Sequence, residues 1–215
     1  CTMKTLVSCE AESKIIEDTH SLINKHGVKV LSMDEIARLL SISKKTLYKY
    51  FQNKKELVLK CFKHRHNQML KDISILENKH ENIIDLFFAM DDHIINTSKS
   101  IRKNPQMIEN LKKYHPESFK FMNNLRKLAI VSAVSRIVLK GIEQGLLRKE
   151  INVEIVTELI VSNIYTITDT KIFPRNQYKF EHLVKEKREL HLRGLATKRG
   201  VNYFEKNQKI ENDRK

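Results

Sequence analysis

The sequence predicts an all-α fold, and three observations carry that expectation. Only five Gly and three Pro are spread over 215 residues, so few points interrupt a helix. Long stretches repeat apolar residues at spacings of three and four, the period of one buried helix face. Ser and Asn stand just before several of these stretches, where their side chains can accept the unbonded amides of a first helical turn. A hydrophobic content of 40% is ordinary, and a chain of this length can bury one or two sizeable cores.

The elements follow in order. Ser32 can cap a short helix, Glu35 closes a capping box three residues later, and Ile36, Ala37, Leu39 and Leu40 supply its buried side. Ser41-Ile42-Ser43 breaks it. Ser43 can cap a second short helix on which Leu47 and Phe51, four apart, face inward while Lys44, Lys45, Tyr48 and Lys49 point elsewhere. Two short helices across a tight turn, with donors and an aromatic on the outer side, suit a DNA groove. From the Asn53 cap a long helix continues over Leu57 to Leu76 with no Gly or Pro linker. Ile83 to Ile95 follows, then new elements at Asn104-Pro105 and His115-Pro116, because Pro fits a first helical turn. Leu125 to Gln144 is strongly periodic and ends at Gly145. Asn152 caps a helix to Ile172 that is apolar on most sides and is expected to be largely buried. A last long helix is expected from about Phe180 to Arg199, stopping at Gly200.

Charge is concentrated rather than general. The formal net charge is +14, and residues 33–66 alone hold nine Lys/Arg against three acids. Residues 1–32 balance, 67–174 are near neutral with 15 basic and 13 acidic residues, and 175–215 hold a second excess of 12 over six. The first excess coincides with the two short helices and points to a polyanion; the second reads as a solvated helix face and tail. No apolar run approaches the roughly 18 residues of a membrane span, so no membrane partner is expected and the protein is expected in the cytoplasm. Cys1, Cys9 and Cys61 form no Cys-x-x-Cys pair, so neither a disulfide framework nor a zinc site is indicated. His64 and His66 are two apart and face different ways on a helix, and there is no His-Glu-x-x-His and no Gly-rich phosphate loop. No cofactor and no catalytic constellation emerge, so an enzyme is not expected.

The stretch from Ile15 to Phe62 resembles the N-terminal domain of the TetR family of bacterial transcriptional regulators. The resemblance runs through a first helix ending in Gly (Lys14 to Gly27), Ile36-Ala37 on the second, and Ser43, Thr46, Leu47, Tyr48, Tyr50 and Phe51 on the third. Asn53, Lys54 and Leu57 then open the fourth. One departure is Ser41, where the family's turn usually carries Gly, since Ser takes the left-handed conformation only at a cost. Less specifically, Gly141 to Asn152 resembles the family's junction between the seventh and eighth helices, and Leu192 to Gly200 the end of the final helix in one subgroup.

The resemblance implies a helix-turn-helix DNA-binding domain over residues 10–57 and a larger helical ligand-binding and dimerisation domain over 58–215. It implies a homodimer on double-stranded operator DNA, a repressor released by an unidentified small-molecule effector. The alternative is a DNA-binding regulator controlled by a protein partner or by concentration. Ser32, Ser43, Lys44, Lys45, Thr46, Tyr48, Lys49, Tyr50 and Lys54 are the expected DNA-binding residues. Lysines reach phosphates or guanine edges, Thr46 and Tyr50 phosphate oxygens, and Tyr48 thymine methyls. Tyr48 or Tyr50 could instead be core aromatics, and any single lysine a solvated charge. For the effector, Ser162, Tyr165, Thr166 and Asp169 are polar candidates on an otherwise apolar helix, with Phe87, Met90, Met107, Tyr114, Phe121 and Met122 as apolar walls. The rival reading of the polar candidates is that they bond neighbouring backbone or line the dimer seam, and of the apolar ones that they are plain core. The homodimer has its own support in residues 151–172, which carry more apolar surface than one helix stripe in a monomer needs, and in Leu183, Leu190 and Leu195.

Overall fold

The computed structural model describes residues 3–103 and 105–213, with side chains described for 10–97 and 109–206. The described residues form α1 (Met3–His26), α2 (Met33–Leu39), α3 (Lys44–Tyr50), α4 (Lys54–Lys79), α5 (Ile83–Lys103), α6 (Pro105–Tyr114), α7 (Pro116–Glu143), α8 (Val153–Thr168), α9 (Phe180–Leu195) and α10 (Lys198–Asp213). Among them no strand forms, only an isolated antiparallel bridge between Leu147 and Ala196. None of the described helices is long and apolar enough to cross a membrane.

The chain divides into two compact units, one of Cys1–Leu70 with Ser98–Arg126 and the other of Lys71–Thr97 with Lys127–Lys215. In the first, Ile15, Ile16 and Ile23 of α1, Ile36 and Ala37 of α2, Leu47 of α3 and Leu57, Val58 and Phe62 of α4 share one core. Leu111 of α6 enters the same core, so α6 and the start of α7 fold with the short helices. Each large side chain buried this way contributes about 1.5–3 kcal/mol. Cys61 lies within this core, donating to the Ile16 carbonyl at 3.4 Å. Burial pushes its thiol up to about 12, which leaves it a packing residue rather than a nucleophile.

The turn between α2 and α3 holds the departure noted in the sequence. Ser41 sits at φ 55°, and the amides of Ser41 and Ile42 donate to the carbonyls of Arg38 and Ala37. This closes α2 in the manner that usually selects Gly. The left-handed conformation is retained because the turn is held between Ile36 and Ala37 of α2 and Leu47 of α3, all buried in one core.

In the second unit, α7 closes with the same geometry at Gly145, φ 65°, whose amide and that of Leu146 donate to Ile142 and Gly141. The Gln144 side chain reaches back to the Ile83 amide at 3.0 Å and so satisfies the start of α5. Asp91 of α5 and Lys187 of α9 form a buried ion pair at 2.6 Å, and the Arg188 guanidinium lies over the Phe88 ring at 3.9 Å. His191, also buried, pairs with the Asn163 side chain at 2.8 Å. Burial, aided by the Lys187 charge, lowers its imidazole to about 4.

Two expectations are corrected. The last long helix is two, α9 and α10, because Ala196 is extended, Arg148 and Thr197 exchange backbone bonds with Leu195 and Leu146, and Thr197 starts α10 through its bond to the Gly200 amide. Gly200 therefore does not stop a helix. It lies in the first turn of α10, where the Leu146 carbonyl leaves no room for a Cβ. The helix after Asn152 is buried on one side only, with Ile155 and Leu159 left 59% and 58% exposed.

Two outcomes check this description. Ser41→Gly removes left-handed strain of about 1–2 kcal/mol, offset in part by a more flexible unfolded chain, and should raise stability in urea by roughly 0.5–1 kcal/mol; an unchanged or lower midpoint would contradict it. For His191, the folded imidazole titrates near 4 and an unfolded one near 6.5, so the unfolded chain binds the extra proton between those values. Stability should be complete above about pH 6.5 and fall by on the order of 2 kcal/mol toward pH 4 on this account, and His191→Gln should remove that part of the slope.

Candidate nucleic-acid interface

The site is built from two capped helix starts. Ser32 accepts the Glu35 amide at 3.1 Å and Ser43 the Thr46 amide at 2.9 Å, so both hydroxyls expected at DNA are also N-caps. Such a cap is worth about 1 kcal/mol. The Ser43 and Thr46 hydroxyls are in addition 2.8 Å apart. Asn53 caps α4 likewise, accepting from the Glu56 amide at 2.9 Å.

With Leu47 and Phe51 fully buried, the other edge of α3 looks outward. Tyr48 is half exposed, and Lys44, Lys45 and Lys49 are exposed. Lys44 is paired with Asp34 at 2.6 Å, both groups facing solvent, a contact worth at most about 1 kcal/mol and readily exchanged for a phosphate. Tyr50 differs: it is partly buried and packs on the core, its ring 6.3 Å from that of Phe51. Lys54 is partly buried at the start of α4, and burial lowers its ammonium. Lys29, Ser32, Asp34, Tyr48 and Lys54 border an open groove of about 420 Å3. Lys55, beside it, pairs with Glu117 of α7 at 2.5 Å.

Residues 15–61 match the family of bacterial regulatory proteins, tetR family. Over these residues the chain is similar to the tetR family. The match spans the second half of α1, all of α2 and α3 and the start of α4. The fold is shared with solved structures at low identity. A transcriptional regulator from Saccharomonospora viridis in complex with choline superposes with TM-score 0.72 at 13% identity, covering 88% of this chain and 100% of that one. SmeT in its triclosan complex gives 0.70 at 15%, covering 87% and 93%. FadR from Bacillus subtilis in complex with stearoyl-CoA gives 0.64 at 18%, covering 83% and 96%. No curated protein sequence matches the chain.

The effector candidates are dispersed. Phe87 and Met90 are partly buried against one core of the second unit, and Tyr165 against another. Ser162 is exposed, the Thr166 hydroxyl donates to its carbonyl at 2.9 Å, and the Asp169 carboxylate accepts the Lys171 amide at 2.8 Å. Tyr114, Phe121 and Met122 belong to the first unit, where Met122 packs on the core and the other two are exposed. The Met107 side chain lies outside the described residues. Sequence reasoning missed Lys29 and Asp34 at the groove; Lys29 stands three residues before the Ser32 cap, which was the available signal.

Ser43→Ala should lower stability by about 1 kcal/mol in a urea titration through loss of the Thr46 amide bond, with helix content nearly unchanged. A neutral result would show that the cap does not hold α3 in place.

Proposed function

We propose that this chain is a member of the TetR family and a cytoplasmic, operator-specific repressor that acts as a homodimer and is released from DNA by a small-molecule effector. The observation that carries the DNA part is the outward edge of α3, where Lys45, Tyr48 and Lys49 stand clear of a core fixed by Leu47 and Phe51. Lysines there reach phosphates and guanine edges, and the Tyr48 ring reaches thymine methyls. Ser32, Ser43, Thr46 and Lys54 contribute backbone contacts at three helix starts, and Lys44 does so after exchanging Asp34 for a phosphate. In this reading residues 10–57 form the DNA-binding domain and 58–215 the effector and dimerisation domain.

The exposed apolar residues of the second unit support the dimer. Ile155 and Leu159 are one turn apart on α8, and Leu190 of α9 is 68% exposed. A two-fold pairing of such surfaces places one α3 in each of two successive major grooves, about 34–36 Å apart. The effector reading is supported by the choline, triclosan and stearoyl-CoA complexes of proteins with this fold. Phe87, Met90, Ser162, Tyr165, Thr166 and Asp169, all in the second unit, are the residues to test for it. An effector can shift the protein only by its differential affinity for two arrangements, so it must weaken operator binding by the factor by which operator weakens effector binding.

DNA affinity should fall steeply with salt, with the slope expected of roughly 6–10 phosphate contacts per dimer. On a selected operator, Tyr48→Ala should lose about 1–3 kcal/mol, and much less on mixed-sequence DNA, because it removes base readout and no charge. Equal losses on both would make Tyr48 structural. Leu159→Glu should convert a dimer into a monomer by light scattering at micromolar concentration; a dimer that survives the charge, or a monomer before substitution, would refute the α8 surface as the seam.

A further inference from the structure

Beside the groove, two lysines converge on one tyrosine that the recognition helix does not use. Lys29, in the loop between α1 and α2, and Lys113, in the last turn of α6, hold their ammonium nitrogens 5.2 and 5.5 Å from the centroid of the Tyr114 ring. Tyr114 is exposed, and a hydrogen bond from Lys29, with the charges of Lys113 and Lys29, lowers its phenol from the usual range. Two like charges held at one exposed ring repel each other by up to about 1 kcal/mol in water, and an anion between them would turn that into attraction.

The nearby acids are engaged elsewhere. Glu117 pairs with Lys55 at 2.5 Å, Glu109 with Lys112 at 3.4 Å and Asp34 with Lys44 at 2.6 Å. Among the described residues, neither Lys29 nor Lys113 has a carboxylate within ion-pair distance. The neighbouring His115 is lowered by burial and then by Lys54 and Lys55, a sign of the positive field at this corner. Lys29 also borders the groove that holds Tyr48 and Lys54, so the cation pair continues the basic edge of α3 toward the α6–α7 corner.

We propose that Lys29, Lys113 and Tyr114 hold a DNA backbone phosphate flanking the bases read by α3. Two ammonium groups neutralise the phosphodiester and the phenol donates to one of its oxygens, so the corner adds affinity and register with no sequence preference. The site makes α6 a DNA-contacting element in addition to the helix-turn-helix. It rests on the DNA reading above, and the experiment separates the two.

The probe is a mixed-sequence duplex of about 30 base pairs, its affinity for the full chain measured by fluorescence anisotropy between about 50 and 200 mM salt. The Lys29→Ala/Lys113→Ala variant should weaken binding and flatten the log–log slope by about one per protomer, the share of one phosphate. The Lys171→Ala/Lys179→Ala variant removes the same charge from exposed positions of the second unit and should leave the slope unchanged. All four positions are on the surface, and unaltered melting temperatures would confirm that both variants fold. A steep slope in the unsubstituted protein that the Lys29/Lys113 variant leaves intact would overturn this inference alone. An equal flattening by both double variants would also overturn it, since general charge would then explain the effect. A flat response of the unsubstituted protein would overturn the DNA reading and this site together.

Discussion

The outward chemistry of α3 depends on two residues that face inward. Leu47 and Phe51, four positions apart, have no exposed surface and lie in one core with α1, α2 and α4. Residues spaced by four share a helix face, so fixing these two leaves Lys45, Tyr48 and Lys49 on the other side without any further instruction. Truncating a buried Phe costs about 3–5 kcal/mol, which measures how firmly the seven-residue helix is held. A helix that short has almost no stability of its own, and tertiary burial plus the Ser43 cap must supply it.

The same economy explains which features were legible in the sequence. Ser32, Ser43 and Asn53 all cap as their positions imply, because a cap is a bond within four residues of chain. Gly145 closes α7 for an equally local reason. The division between α9 and α10 was not legible, since it is imposed by Leu146, Leu147 and Arg148, some fifty residues away in sequence. Nor was the placement of α6 with the DNA-reading unit, which rests on Leu111 finding the core beneath α1 and α4. Lys113 and Tyr114 come to the groove only through that packing. The extent of burial of α8 was not legible either, because apolar residues look the same whether their partner is the chain itself or a second copy.

The second unit buries charged side chains, Asp91, Lys187 and Arg188, where the buried polar residues of the first are the uncharged Thr19 and Ser118. The Asp91 to Lys187 pair at 2.6 Å joins α5 to α9 inside an apolar surround, and Arg188 stacks on Phe88 beside it. Such a pair adds little net stability relative to a well-packed apolar one, but breaking it leaves an uncompensated buried charge costing about 3–5 kcal/mol. It therefore favours one register of α9 against α5 over any neighbouring one.

Hydrogen exchange of the full chain with and without a mixed-sequence duplex tests the central claim most directly, since bound DNA slows exchange where it touches or stabilises backbone. The three capped helix starts and the outer edge of α3 should gain protection, in peptides covering residues 32–55, while α8 and α9 remain unchanged. Protection confined to the second unit, or absent under conditions in which the duplex is bound, would contradict the assignment of the α3 edge as the DNA-reading surface.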